Sequence, residues 1–449
     1  MLYRGLQLFT NIYYRVYYKF EFEGLDKVPK NQPVILAPNH TNGFVDPVIV
    51  AMIFSKRVRF FARGDVFKGR LAKWALESMN ISPMYRIQEG YAELKKNNKT
   101  FEECRQLLTD NKTIVLFPEG ICIQERRLRP LKKGLARIAF QTAESFDFSK
   151  DILVVPIGLN YTDAKRFGSK AYIDFGPAVS VKEYEAQYKQ DKVKAINEFT
   201  KMFEEKMKEH LVIIKNSEND DLVSGIEEIY LQQWIKDKKQ NIKKLAQHYR
   251  ASKEIAQMVN ELDSFDPSAI AILKENISGY TQKLKENNLR DHLLRPENIN
   301  KINFLNFLLD FLIIYLGMPI YALGMAFNYP PFFLAKEFTV KKIKKNEFIA
   351  SVYLNMAMML GVLYYGIQLL IVALVFRNWL LLSLYAAIIP LLGFYALKYN
   401  SVKKKILGRW RLLRMVRKEK KTVTELISAR TEVIRLIELA KGQYRTSRN

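Results

Sequence analysis

The stretch VILAPNHTNGFVDP, residues 34–47, gives the clearest indication of the fold class of this 449-residue chain. It opens with an apolar run, 34–37, whose length is typical of a buried strand. A polar loop follows, and Asp46 with Pro47 then forms a helix-start signal, with aspartate at the N-cap and proline at the first helical position. The stretch therefore predicts a strand, a loop and a helix, which is the repeating unit of an α/β domain.

The same alternation continues on both sides of that stretch, through residues 21–180. Further short apolar runs are predicted to be buried strands, and amphipathic patterns at 68–79 and 132–145 are predicted to be helices. The predicted strands are 34–37, 58–62, 114–117, 152–157 and 172–175. We therefore expect one α/β domain over 21–180.

Residues 1–20 and 181–300 flank this domain and are predicted to be helical. The first segment mixes apolar and aromatic residues with Arg4, Arg15 and Lys19, so it is too interrupted to cross a membrane. An amphipathic helix in the membrane interface fits its pattern, and a terminal helix docked on the core is the alternative. The second segment is rich in Lys and Glu, which predicts a charged helical arm with solvated faces.

The character of the chain changes in the predicted membrane domain, 301–398. Residues 351–376 and 379–397 are each long and apolar enough to cross about 30 Å of hydrocarbon, and the short turn between them predicts a tight hairpin. The apolar segment 304–334 contains Asp310 and a Gly317–Pro319 break. We favour a segment that enters the membrane and returns, and a single crossing of the membrane is the alternative.

Positive charge is concentrated beside these apolar segments. The chain has 71 Lys+Arg against 46 Asp+Glu, a net charge of +25, which indicates an anionic partner. Lysines at 341–345 and eleven Lys or Arg at 398–421 flank the hairpin, which predicts that both flanks, and the basic tail 399–449, are cytoplasmic. If 304–334 re-enters, everything before it is cytoplasmic too. The chain lacks nucleic-acid-binding motifs, so a membrane surface is the favoured partner.

The polar residues that could carry chemistry follow the predicted strands. His40 is suited to general-base work, and Asp46 could orient it. Other candidates are Arg86, whose planar fork suits phosphate, and Glu119, which lies among several cations. Taken singly, each has an ordinary explanation as a cap, a surface arginine or a turn residue. Two cysteines and four histidines predict neither a disulfide framework nor a multi-ligand metal site.

Taken together, these motifs resemble those of the glycerolipid acyltransferase family, which contains lysophosphatidic acid and glycerol-3-phosphate acyltransferases. The resemblance covers roughly 28–180 and is closest to the fungal-type glycerol-3-phosphate/dihydroxyacetone-phosphate branch and its bacterial relatives. It departs from the family at two points: five residues separate His40 from Asp46 where four are usual, and Ile121 replaces a small polar residue. The motifs are NH at 39–40 with DP at 46–47, Arg86, FPEG at 117–120 with PLKKG at 130–134, and VVPIG at 154–158.

The resemblance implies a membrane-bound O-acyltransferase of phospholipid biosynthesis. It would move a fatty acyl chain from a thioester to a glycerol-phosphate acceptor, in the first place 1-acyl-glycerol-3-phosphate. The alternatives are a first-step enzyme acting on glycerol-3-phosphate or dihydroxyacetone phosphate, and a non-catalytic membrane lipid-binding protein. The implied catalytic residues are His40 and Asp46, and the implied substrate-binding residues are Arg86, Glu119, Gly120, Lys132 and Lys133.

The implied partners are membrane lipids, the acceptor and a donor that is acyl-CoA or acyl carrier protein, with no metal, no cofactor and no nucleic acid. No acyl-enzyme is expected, and Cys122 is interpreted as structural. The expected location is an integral membrane protein with its catalytic domain on the cytoplasmic face. Donor, acceptor, chain length and oligomeric state stay open.

Overall fold

A computed structural model describes residues 2–54, 58–85, 97–299 and 304–447. It divides the chain into two compact units. The first unit consists of Met1–Ile213 with Lys243–Tyr249 and Lys345–Ser351, and the second contains the rest. The first unit therefore extends past the predicted boundary at residue 180, because Phe199 and Phe203, far beyond that boundary, are buried in its core.

An eight-stranded mixed sheet forms the centre of the first unit. Its strands are β1 (Lys19–Glu23), β2 (Val34–Pro38), β3 (Arg59–Arg63), β4 (Ile81–Met84), β5 (Thr113–Val115), β6 (Leu153–Tyr161), β7 (Lys170–Phe175) and β8 (Val179–Ser180). The order is β1-β7-β6-β2-β5-β3-β4, with β8 also paired to β6. Strands β6, β2, β5, β3 and β4 run parallel, so their carboxyl ends share one edge of the sheet.

All five predicted strands are present, with bounds shifted by a few residues. The α/β prediction is therefore confirmed for this unit. The expected fold class as a whole, an α/β domain followed by helices and an apolar helical region, is confirmed as well.

Helices cover both faces of the sheet. They are α1 (Leu2–Tyr17), α2 (Val45–Ile53), α3 (Arg70–Ser78), α4 (Asn97–Thr109), α5 (Gly134–Glu144), α6 (Glu185–Gln190) and α7 (Lys192–Lys208). On one face, α5 and α7 pack around Phe140, Phe199 and Phe203, which are almost fully buried. The last turn of α1 is also buried, with Tyr14 0% and Tyr17 5% exposed.

The start of α2 differs from the prediction. The helix begins at Val45, so Asp46 lies inside its first turn rather than at the N-cap. The N-cap position is Phe44, which forms no side-chain cap hydrogen bond. The Asp46 carboxylate instead accepts hydrogen bonds from the backbone amides of Thr41 and Asn42 in the preceding loop.

The second unit is helical. The helices from residue 220 onward are α8 (Asp220–Asp237), α9 (Leu245–Phe265), α10 (Pro267–Glu286), α11 (Pro296–Ile299), α12 (Phe304–Lys342), α13 (Asn346–Phe376), α14 (Trp379–Lys418) and α15 (Lys420–Thr446). The predicted basic tail, 399–449, is the end of α14 followed by α15. Helix α15 packs on α8 and α10 and buries Val433 and Ile437.

Three helices, α12, α13 and α14, are long and apolar enough to cross a membrane. The expected re-entrant turn at 317–319 is wrong, because α12 runs through Pro319 without a break. Pro319 lacks the N–H that would bond the Tyr315 carbonyl, and two hydroxyls of α14 donate to neighbouring carbonyls: Tyr399 Oη to that of Ile314 at 2.6 Å and Tyr395 Oη to that of Gly317 at 3.3 Å. Helix α14 packs most extensively on α12. It also follows α13 after only Arg377 and Asn378, and Tyr385 Oη of α14 donates to Gln368 Oε1 of α13 at 2.7 Å.

Candidate active site

The candidate site lies at the sheet edge where the carboxyl ends of β2 and β5 meet. These two parallel strands are neighbours, with Leu36 beside Val115. The loop that carries His40 leaves β2, and the loop that carries Glu119 leaves β5. Crevices outside the carboxyl ends of strands are the usual ligand sites of such sheets.

His40 and Asp46 are in direct contact. His40 Nδ1 lies 3.0 Å from Asp46 Oδ2, although five residues separate the two along the chain. The early start of α2 explains this, because it places the Asp46 side chain under the loop from which His40 projects. The His40 ring also stacks on Phe117, with ring centroids 4.2 Å apart, so two adjacent strand ends fix its orientation.

The Asp46 carboxylate is fully buried and receives three further hydrogen bonds. The backbone amides of Thr41 and Asn42 donate to Oδ2 at 2.8 and 2.7 Å, and Tyr161 Oη donates to Oδ1 at 2.6 Å. Burial and the nearby Asp46 raise the pKa of Tyr161 well above its usual range, so its hydroxyl remains a donor. Asp46 is thus held as a fixed acceptor for His40.

Tyr161 and Asn39 are two supporting residues that the sequence analysis did not select for a role. Asn39 Nδ2 donates to the carbonyl of Leu159 at 3.2 Å, and the Leu159 amide donates back to Asn39 Oδ1 at 2.6 Å. This side chain fastens the start of the His40 loop to β6. Asn39 belongs to the NH pair at 39–40, which is the one sequence pattern that points to it. No local pattern points to Tyr161, because it lies 115 residues from Asp46 along the chain.

Glu119 is buried beneath the loops rather than solvated among cations. Its Oε1 accepts from the backbone amide of His40 at 2.7 Å, and its Oε2 accepts from that of Arg129 at 3.0 Å. Burial raises the pKa of this carboxyl in spite of the two backbone donors. Its geometry ties the His40 loop to the Arg129 loop.

Gly120 and the lysines 132 and 133 lie on the loop that follows β5. Gly120 adopts φ +68°, and a Cβ there would lie 3.2 Å from Lys132 Cγ, so the tight turn favours glycine. The Lys132 amide donates to the Pro118 carbonyl at 2.8 Å, which folds the loop back on the turn. The side chains of Lys132 and Lys133 are exposed.

Arg86, the predicted phosphate-binding residue, lies outside the described residues. Strand β4 ends two residues before it, at Met84, and runs parallel to β3 toward the same sheet edge as β2 and β5. Within the described ranges, no three His, Cys, Asp or Glu side chains are grouped as metal ligands would be.

Cys122 supports the loop through a hydrogen bond. Its Sγ accepts from the backbone amide of Gly43 at 3.0 Å. Burial, with the negative charge of Asp46 nearby, raises the pKa of this thiol far above its usual value. A thiol that stays protonated is a poor nucleophile.

The first turn of α13 packs on the same loop. A Cβ at Gly43 would lie 2.6 Å from Ser351 Oγ and 3.1 Å from the Glu347 carbonyl oxygen. Gly43 also has φ +34°, so glycine satisfies both the backbone conformation and the close approach. The loop that carries His40 and the start of this apolar helix are therefore in contact within the first unit.

A second His–Asp pair offers a comparison. His210 Nδ1 lies 2.7 Å from Asp174 Oδ2, a geometry close to that of the first pair. Its Nε2, however, is buried against the backbone of Gly176, where a Cβ would come within 2.3 Å of it. This ring has no room for a reacting group, so only the His40 pair faces an accessible edge.

Comparison with known proteins identifies relatives of this chain. Residues 19–160 match the family described as Acyltransferase. A chloroplast 1-acyl-sn-glycerol-3-phosphate acyltransferase from Brassica napus is 25% identical over 154 residues, which is 34% of this chain and 40% of that protein. Glycerol-3-phosphate O-acyltransferase 1 from Saccharomyces cerevisiae is 27% identical over 265 residues, which is 54% of this chain and 33% of that protein.

This chain thus spans two fifths or less of the length of these two curated relatives. Among solved structures, the 1-acyl-sn-glycerophosphate acyltransferase PlsC from Thermotoga maritima is similar at 18% identity and a TM-score of 0.32, over 46% of this chain and 79% of that one.

Proposed function

We propose that this chain, which carries an Acyltransferase-family domain over residues 19–160, transfers a fatty acyl group from a thioester to a hydroxyl of a glycerol-phosphate acceptor. The observation that carries the proposal is the His40–Asp46 pair at 3.0 Å, set at the carboxyl edge of the sheet. His40 is partly exposed there, with 18% of its side chain accessible, whereas Asp46 is fully buried. That is the arrangement that a general base and its orienting carboxylate need.

The mechanism follows from the tautomer that Asp46 selects. His40 keeps its proton on Nδ1, where Nδ1–H donates a hydrogen bond to Asp46. Nε2 then carries the lone pair that accepts the proton of the acceptor hydroxyl. The oxygen then attacks the thioester carbonyl, the C–S bond breaks, and the thiol leaves with the proton returned from the imidazolium. Asp46 stabilises the imidazolium in the interval without accepting the proton itself.

Transfer in this scheme is direct, without a covalent acyl-enzyme. The cysteine nearest to the site, Cys122, is held as a neutral thiol and accepts a backbone hydrogen bond. An acyl-enzyme would need an activated nucleophile beside a base. His40 itself therefore activates the acceptor.

We assign the acceptor phosphate to the basic loops at this edge. Arg86 would grip it through two parallel hydrogen bonds, and Lys132 and Lys133 would add positive field from exposed positions. Gly120 would let the turn approach the ligand closely. Glu119, whose two oxygens are occupied by backbone amides, would position the His40 loop rather than bind the glycerol hydroxyl.

A membrane location suits both the substrate and the chain. Three apolar helices are long enough to span a bilayer, and the first turn of α13 contacts Gly43 in the catalytic loop. That turn follows the lysines at 341–345, which favours the cytoplasmic face for the loop and hence for the site.

Two acceptors remain in competition. Our first candidate is 1-acyl-glycerol-3-phosphate. The first-step reaction is supported by the match to the yeast glycerol-3-phosphate O-acyltransferase, which reaches 54% of this chain, well beyond the Acyltransferase domain. Both reactions use the same base and the same phosphate grip.

One experiment separates these possibilities. The protein purified in neutral detergent is incubated with 1-acyl-glycerol-3-phosphate, glycerol-3-phosphate or dihydroxyacetone phosphate, each paired with acyl-CoA or acyl-acyl carrier protein. Mass spectrometry then identifies the products, with His40→Ala as the background control. Phosphatidic acid formed from 1-acyl-glycerol-3-phosphate supports the first candidate. A lack of acylated product from every pair, with lipid binding retained, would favour a non-catalytic lipid-binding protein.

A further inference from the structure

A second basic feature lies in the first unit, away from the His40 loop. An open pocket of about 330 Å³ is formed where the end of α1, strand β1 and the start of α9 meet. Its lining includes four cations, Arg15, Lys19, Lys170 and Lys243. Glu21 is the one carboxylate among the described lining residues, so the pocket has an excess of three positive charges.

The carboxylate and the most buried lysine are both directed to other partners. Glu21 Oε2 accepts a hydrogen bond from the backbone amide of Leu245 at 3.0 Å. Lys170 Nζ lies 3.2 Å from Nδ1 and 3.3 Å from Nε2 of His248, a group that brings no negative charge. Burial, and to a smaller extent the neighbouring Lys19, lower the pKa of Lys170.

A bound anion would reduce the electrostatic repulsion among the four cations that line the pocket. The volume lies within the usual range of small-molecule sites. The side-chain types also match phosphate chemistry, because an arginine offers a planar fork and lysines supply point charges. Arg15 is already oriented over the ring of Phe20, with Cζ 4.4 Å from its centroid, and Nε donates to Asn11 Oδ1.

We propose that this pocket binds a phosphate-bearing anion and forms a second anion site, distinct from the one that grips the acceptor. None of its lining residues belongs to the loops that carry His40 or Glu119. The ligand is either a lipid headgroup or a free phosphate compound, which share the chemistry that these cations recognise.

One side chain that lines the pocket also contacts the loop that carries His40. Tyr18 lines the pocket, and Asn42 Nδ2 donates to its hydroxyl at 3.3 Å. Asn42 in turn donates its backbone amide to Asp46 at 2.7 Å. An anion in the pocket therefore contacts the same tyrosine that supports the loop of the general base.

The test is calorimetric binding to the full-length protein in neutral detergent. Inorganic pyrophosphate probes a free-phosphate ligand, and dioctanoyl phosphatidylglycerol probes a lipid headgroup. The variants are K170Q with K243Q, and K19Q alone, since Lys19 is exposed and its replacement spares the core. K182Q is the matched control, because Lys182 is an exposed lysine on the same unit and does not line the pocket.

We expect wild type and K182Q to bind two equivalents of at least one probe. The double variant should bind one equivalent, with the second site weakened about tenfold or more, and K19Q should weaken that same site. The probe that binds identifies the source of the ligand. Equal stoichiometry and affinity in wild type, K19Q and the double variant would overturn the proposal. Turnover is not the readout, so a failure of the proposed reaction would be seen separately.

Discussion

Replacing Tyr161 with Phe probes the support of the Asp46 carboxylate, the proposed partner of the general base, without changing His40 or Asp46. The change removes the hydroxyl that donates to Asp46 Oδ1 at 2.6 Å and leaves the aromatic ring, which packs 5.9 Å from that of Tyr18. Asp46 is fully buried and keeps its two backbone donors and His40. The loss is therefore a single hydrogen bond to a charged group.

A hydrogen bond to a charged group contributes about 1.5–3 kcal/mol, so Tyr161→Phe should lower the free energy of unfolding of the first unit by about that amount. For a unit of this size, the melting temperature should fall by roughly 3–12 °C. A carboxylate with one oxygen released holds His40 less firmly, and we expect kcat to fall by about tenfold, or about 1.4 kcal/mol of activation free energy. The acceptor KM should stay within about twofold.

Initial rates and thermal melts of purified wild type and Tyr161→Phe measure both effects. Tyr172→Phe is the matched control, because it also removes a tyrosine–carboxylate hydrogen bond, to Glu23 on the neighbouring strand pair. We expect its kcat to equal that of wild type. A normal kcat in Tyr161→Phe, with the melting temperature lowered, would show that this tyrosine supports only the fold and would refute the reasoning.

Three further predictions follow from the loops and the charge pattern. Cys122→Ser should retain kcat within about threefold, because serine still accepts from the Gly43 amide; a hundredfold loss would indicate a nucleophilic role. The raised pKa of Glu119 means that the folded protein binds a proton that the unfolded chain releases. The contribution of Glu119 to stability should therefore be greatest below the ordinary glutamate pKa and fall as pH rises through the raised value. The difference in melting temperature between wild type and Glu119→Gln, which is neutral throughout, should change over that pH range, and a constant difference would contradict it. Cysteines introduced at Arg377 and Lys345 should be labelled from opposite faces of intact vesicles, and labelling from one face would exclude the predicted topology.

The strands with buried faces could be predicted from sequence, and those at the margin could not. Strand β2 is a continuous apolar run, which signals burial on both faces. Strand β1, with the sequence KFEFE, is mostly exposed and forms because β7 offers it a parallel partner. Such pairing depends on a residue about 150 positions away, and local patterns carry no record of it.

The proposed catalytic pair, His40 and Asp46, was accessible to sequence reasoning because its members lie close along the chain and follow a strand. Its supporting residues were not. Tyr161 reaches Asp46 across 115 positions and Asn39 reaches Leu159 across 120, so only the folded sheet brings them together. The contacts of Glu119 were hidden for a related reason: its carboxylate accepts hydrogen bonds from two backbone amides, those of His40 and Arg129, that local patterns do not indicate.

The membrane segment shows the opposite limitation. Gly317 and Pro319 are ordinary helix-breaking signals, yet α12 continues through them. Tyr395 and Tyr399 of α14 pack at Gly317 and donate to carbonyls of that turn. Contacts from a neighbouring helix thus accompany a helix that continues through local helix-breaking signals, which membrane-spanning helices tolerate.

The most direct measurement compares the two His–Asp pairs of the same domain. Acyl transfer to 1-acyl-glycerol-3-phosphate and to glycerol-3-phosphate is measured with folded, membrane-reconstituted H40A and H210A. A general base contributes about 10²–10⁴-fold, so H40A should lose that factor on the active substrate, with folding intact. H210A should melt at a lower temperature and keep a wild-type kcat, because Nε2 of His210 is buried against Gly176. An H40A variant that retains more than about a tenth of the wild-type rate would contradict the assignment of His40 as the base.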